Sequence, residues 1–147
     1  MLAREIKIET HIDAPVATVW AVLTDTAQWS SWNRILLGLE IDGTLEIGAH
    51  GRLQLELGPP LGVRTIGVKI DQCDPERELA WLGGLRAVAQ GRHYFRMESD
   101  GSGTRFLHGE RFSGIAVLPV WPLLEPQLTK SYTRFNRDFA ERCASQS

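Results

Sequence analysis

The chain is poor in cysteine: its 147 residues include only Cys73 and Cys143. They stand far apart and in no C-x-x-C spacing, which excludes a disulfide framework and argues against a thiolate metal site. Two structural thiols are expected instead. Positive charge is not in excess either, since 16 Lys and Arg face 18 Asp and Glu, for a net charge of −2. A nucleic-acid partner, which asks for a basic patch or a strongly basic domain, is therefore not expected. No apolar run approaches the ~18 residues of a membrane span. The opening MLAREIKIET lacks the unbroken apolar core of a secretory leader, being interrupted by Arg4, Glu5, Lys7 and Glu9, so a cytoplasmic location is the default expectation. Repeats, linkers and low-complexity segments are missing too. One domain over residues 1–147 is expected, long enough to bury most of the surface its unfolded chain exposes.

What is present is a clear change of periodicity along the chain. REIKIETHI alternates, with Ile6 and Ile8 against Lys7 and Glu9, and reads as a strand with one wet face. In DAPVATVWAVLTD, Asp13 is placed to cap a helix whose first turn holds Pro15, with Val16, Val19, Trp20 and Leu23 at helical spacing. TAQWSSWN predicts a second short helix, with Thr26 as its cap and Trp29 and Trp32 on one side. From Ile35 to Ser113 strands and turns alternate at roughly ten-residue intervals, which predicts one antiparallel meander of about six strands. HGRLQLELG, VRTIGVKIDQC and ELAWLGGL set Leu53, Leu55, Ile66, Val68, Leu79 and Trp81 in phase on one face. SGIAVLPVWP predicts an apolar, proline-punctuated loop. A long amphipathic helix should follow from near Pro126, with Leu124, Leu128, Tyr132, Phe135 and Phe139 as its buried stripe. A sheet packed on one long helix is a stable two-layer α+β solution.

One stretch stands out. GRHYFRMESDGSGTRFLHGERFSG, residues 91–114, predicts two strands joined by a glycine-rich turn. One face carries Phe95, Met97, Phe106 and Phe112 together with His93, His108 and Glu110. A regular hairpin sets His93 opposite Glu110 and Phe95 opposite His108, with Cβ atoms of each pair about 4.5–5.5 Å apart. Three titratable groups on an apolar face have several readings. They can satisfy one another in a packed core, orient a ligand in an apolar pocket, or move protons in general acid–base catalysis. Two His and a carboxylate also suit a metal, but this spacing is no established signature. No metal and no cofactor are expected.

The order of elements resembles the START-like superfamily, closest to its polyketide cyclase/dehydrase and lipid-transport branch. The resemblance is carried by Ile12, Ala14, Pro15, Val19 and Trp20, by Asp25, Trp29, Trp32 and Asn33, and by Gly103, Thr104, Phe106, His108, Glu110, Phe112 and Gly114. It covers nearly the entire chain, with Phe106 where leucine is commoner. It implies a helix-grip fold: a curved antiparallel sheet of six to seven strands wrapped around the C-terminal helix, with two short helices after the first strand.

The resemblance also implies a hydrophobic small-molecule ligand, lipid- or polyketide-like, held between the sheet and the helix from about residue 123 to 143. The expected walls are Leu53, Leu55, Ile66, Val68, Trp81, Phe95, Met97, Phe106, Leu128, Tyr132 and Phe135, with His93, His108 and Glu110 as the polar end. Two rival readings stay open. One is a cyclase or dehydratase in which His93 or His108 moves protons and Glu110 orients the imidazole. The other is an interaction module of the chaperone-activator type with a filled core. Homodimerisation through an exposed sheet edge is a further alternative.

Overall fold

The computed structural model describes residues 3–146, so Met1 and Leu2, which the leader expectation included, lie outside it, as does Ser147. Strand β1 (Ala3–Ile12) has the expected period, with Ile6 and Ile12 buried and Lys7 and Glu9 exposed. Helix α1 (Val16–Thr24) follows. Its first N–H groups, those of Thr18 and Val19, bond to the Pro15 carbonyl at 2.9 and 3.1 Å. Asp13 is not the cap: Pro15 takes that position in extended backbone, and the Asp13 carboxylate meets His11 at 3.1 Å instead. Thr26 does not cap either. It opens a 3₁₀ turn (Thr26–Gln28), and its hydroxyl donates to the Leu39 carbonyl, tying the turn to the sheet. The short helix α2 (Trp29–Trp32) is closed by Asn33, whose amide donates to the Trp29 and Leu36 carbonyls and accepts from the Ile35 and Leu36 N–H groups.

Six further strands complete the sheet: β2 (Leu36–Ile41), β3 (His50–Glu56), β4 (Val63–Asp74), β5 (Glu78–Leu85), β6 (Ala89–Asp100) and β7 (Gly103–Ser113). The order β1-β7-β6-β5-β4-β3-β2 is antiparallel throughout and places the first strand beside the last. The inner face holds the main core, including Leu53, Val68, Ile70, Leu79, Trp81, Phe95, Met97 and Phe106. On the outer face Tyr94 reaches across Gly109 to donate to Glu5 at 2.6 Å, spanning three strands. Gly109 is required there because any Cβ would strike the Tyr94 ring.

Helix α3 runs from Val117 to Ser145, so residues 117–122 of the expected loop form its first turns and the expected start near Pro126 is corrected. Pro119 falls in the first turn, where no N–H is needed. Pro122 and Pro126 lie on the exposed side, so the carbonyls they leave unbonded face water. The other side buries Val117 and Trp121, 5% and 8% exposed, against Ile6 and Phe112. Burial of those two side chains, ~1.5–3 kcal/mol each, offsets an interior proline's cost of about 3 kcal/mol. Among the described residues no helix is long and apolar enough to cross a membrane.

Strand directions put three connections at one end of the sheet, called the upper end: β3–β4, β5–β6 and β7–α3. They are tied together. The Ile115 and Ala116 N–H groups bond to the Ala87 and Val88 carbonyls at 3.1 and 2.9 Å. Gln127 on α3 donates to the Leu57 carbonyl at 2.7 Å, bridging the helix to the β3–β4 connection.

Candidate ligand-binding site

The period-two pattern of β6 and β7 delivers the expected register: His93 pairs with Glu110 and Phe95 with His108. Helix α3 crosses above them and adds Tyr132 and Asn136, four residues apart and so on one face. The result is a continuous polar chain through an aromatic interior. Asn136 donates its amide to the Ile8 carbonyl and the Thr10 hydroxyl, both at 3.1 Å. Its oxygen lies 2.8 Å from His108 Nδ1. His108 Nε2 lies 2.7 Å from His93 Nε2, and His93 Nδ1 lies 3.3 Å from Glu110 Oε1. The Tyr132 hydroxyl donates to that same Glu110 oxygen.

Hydrogen-bond bookkeeping fixes the directions in this chain. A backbone carbonyl only accepts, so the Asn136 amide nitrogen faces Ile8 and its oxygen faces His108. His108 Nδ1 must then carry a hydrogen. Complete burial, reinforced by the nearby charge of His93, holds the His108 imidazole well below its usual pKa, while the Asn136 bond opposes the shift. The neutral ring therefore presents a bare Nε2, and His93 Nε2–H donates to it. That leaves His93 Nδ1 facing Glu110. The two atoms, Nδ1 and Oε1, lie at ion-pair distance, 3.3 Å. Burial and the Glu110 carboxyl push the Tyr132 phenol well above its ordinary value, which keeps it a donor.

His93, His108 and Asn136 are buried, and Glu110 retains 15% of its side-chain surface. Aromatic rings enclose the chain: Trp81 stacks on His93 at 4.9 Å, Tyr132 on His108 at 4.4 Å, and Phe95 and Phe135 lie 4.6 and 5.1 Å from His108. Of the expected wall residues, Leu53, Val68, Trp81, Phe95, Met97, Phe106, Tyr132 and Phe135 are buried in contact with one another or with their cluster. Leu55, Ile66 and Leu128 are half-buried toward the upper end. Gly83 and Gly91, paired on neighbouring strands, are half-buried on the same inner face. The inner face is filled by rings in its middle and partly open above.

Asn136 and Gly91 belong to the candidate site, and sequence reasoning missed both. Asn136 follows Tyr132 by one turn, so a polar residue on the buried stripe was its signal. A Cβ on Gly91 would collide with Glu110 Oε2 and lie 3.2 Å from its Cδ, so the carboxylate occupies the space a side chain would take. Two recesses lie elsewhere on the molecule. One of about 390 Å³ lies between α1 and the end of α3, lined by residues including Asp25, Trp32 and Arg142. One of about 310 Å³ is lined mainly by outer-face groups of β3 to β6, including His50, Lys69, Leu82 and Gln90. Among the described residues, no three His, Cys, Asp or Glu side chains are grouped to hold a metal ion.

Comparison with solved structures places the architecture. The ZhuI aromatase/cyclase from a Streptomyces species superposes with a TM-score of 0.71 at 16% identity, over 99% of this chain and 93% of that one. A Thermus thermophilus protein gives 0.75 at 14% identity, over 98% and 99%. The di-domain ARO/CYC StfQ, from the steffimycin biosynthetic pathway, gives 0.75 at 11% identity, over 99% of this chain and 51% of its own. At such identities the likeness is one of fold. No curated protein matches the chain. The family model for polyketide cyclase/dehydrase and lipid transport matches residues 3–144, so the chain belongs to that family, as its helix-grip fold leads one to expect.

Proposed function

We propose that the protein binds an apolar or aromatic small molecule at the upper end of the inner sheet face, against α3, with Glu110, His93 and Tyr132 as its polar floor. The observation that carries this reading is the half-open surface around Glu110. Leu55, Ile66, Gly83, Gly91, Leu124 and Leu128 are all half-buried, whereas the same face lower down is sealed. Few polar groups converge there, as in most small-molecule sites. The rim is apolar as well: Leu61, Leu85, Val88, Ile115 and Leu123 are exposed at the upper connections and on the first turns of α3. Burial of ligand area at ~25 cal/mol per Å² supplies affinity, and the polar floor sets orientation.

A second reading is favoured by one feature, the approach of His93 Nδ1 to Glu110 Oε1 at 3.3 Å. An imidazole beside a carboxyl at the floor of an apolar site, backed by His108 and Asn136, suits general acid–base work on a polyketide-like substrate. Native mass spectrometry of protein purified without detergent, followed by denaturing extraction, tests the binding reading. An apolar molecule that co-purifies with the native chain, and is lost from Glu110→Ala, supports it. Recovery of the same molecule at the same occupancy from Glu110→Ala counts against this location. Turnover abolished in His93→Gln with binding retained marks the enzyme.

A further inference from the structure

We propose that this site selects apolar molecules bearing a hydrogen-bond donor, a hydroxyl or phenol, and that Glu110 Oε2 is the atom that reads it. The inference rests on the ligand-binding reading above and deepens it to a ligand class. The two oxygens of the carboxyl differ. Oε1 is committed, since it receives the Tyr132 hydroxyl and faces His93 Nδ1. Oε2 has no hydrogen-bond donor among the described residues and sits over Gly91, on the half-open side. With Oε1 so engaged, Oε2 is the free acceptor of the carboxyl.

The surrounding charges point the same way. Arg92 is turned to the outer face, where it binds Asp71 and Glu78 at 2.7 and 3.1 Å. Arg64, in phase with Ile66, is exposed at the rim and donates to its neighbour's carbonyl. His93, the ring beside Glu110, has its Nε2 against His108 and its Nδ1 3.3 Å from Oε1. An anionic head group at the floor would thus face a carboxyl without a free donor to receive it. A hydroxyl there meets a free acceptor, and an apolar analogue leaves that acceptor dry and unpaired.

Calorimetric titration with 1-naphthol, naphthalene and 1-naphthoate tests this, using three probes of nearly one shape. The native chain should bind 1-naphthol about ten-fold or more tighter than naphthalene, with 1-naphthoate weakest. The naphthol-to-naphthalene ratio should fall close to one in Glu110→Ala. It should also fall in Gly91→Ala, whose new methyl group displaces Oε2 while Glu110 remains. Equal binding of naphthol and naphthalene by the native chain would overturn the donor preference and leave the site standing. Tightest binding by naphthoate would overturn it in favour of a cation, with Arg64 the nearest choice. Failure of all three to bind would overturn the binding reading and this inference with it.

Discussion

Truncating Glu110 to alanine removes the acceptor of the buried Tyr132 hydroxyl and the carboxyl beside His93, and the cost follows from what each is left to do. The Tyr132 hydroxyl, 5% exposed as a residue, loses its partner inside an aromatic cluster. A buried group left unsatisfied costs about 1–3 kcal/mol. His93 loses the carboxyl beside its Nδ1 but keeps its bond to His108, so its share is smaller. Glu110 lies near the open end, where water can reach part of the gap. The sum is ~2–4 kcal/mol, below the 5–15 kcal/mol that holds a typical domain. Glu110→Ala should therefore fold, with an unchanged urea m-value and a midpoint lower by about 1–2 M for m near 2 kcal/mol per M. Combining it with Tyr132→Phe should recover 1 kcal/mol or more of non-additivity, because the orphaned hydroxyl is gone. A loss below about 0.5 kcal/mol would refute the accounting. Outright unfolding would show the carboxyl to be a structural necessity and would favour the packed-core reading.

Other substitutions test neighbouring links. Phe135→Ala, fully buried between Trp32, Phe95 and His108, should cost about 3–5 kcal/mol in the same urea assay through the cavity it leaves. Pro122→Ala restores a helical N–H on the exposed face of α3 and should raise stability by about 1 kcal/mol or more, read by thermal melting. No change would mean the helix does not continue through that turn. The pH dependence has a definite sign. His108 is held below its ordinary value near 6.5 in the folded state, so the unfolded chain binds the extra proton first. Its contribution is fully present above about pH 6.5 and lost as pH falls toward the lower folded value, with a slope of at most ~1.4 kcal/mol per pH unit. Subtracting the profile of His108→Gln from that of the native chain should isolate this slope; coincident profiles would contradict it.

Much of this site was legible because β-strands report faces by counting. The spacing of His93, Phe95, Phe106, His108 and Glu110 fixed their common side, and the glycine-rich turn set their pairing. The aromatic stripe of α3 was legible for the same reason at helical spacing. The start of α3 was not, because three prolines argue locally for a loop while Val117 and Trp121 gain their burial only from β1 and the end of β7. Asp13 fits a cap by composition, yet Pro15 reached that position first. Asn136 needed the third dimension: its partners Ile8, Thr10 and His108 lie on two strands far away in sequence. The same holds for the division of the inner face. Which residues seal and which stay half-open depends on how ring volumes meet across the layer, and no periodicity encodes that sum.

The most direct test of the proposed binding site is a map of where a ligand touches. Titrating 1-naphthol into isotope-labelled protein, and following backbone and methyl resonances, reports this residue by residue. The account predicts the largest shifts at Leu55, Ile66, Gly83, Gly91 and Leu128, with the Trp81 indole following. Shifts confined to Ala17, Asp25 and Arg142, in the recess between α1 and the end of α3, would contradict it, as would a spectrum unchanged at saturating probe.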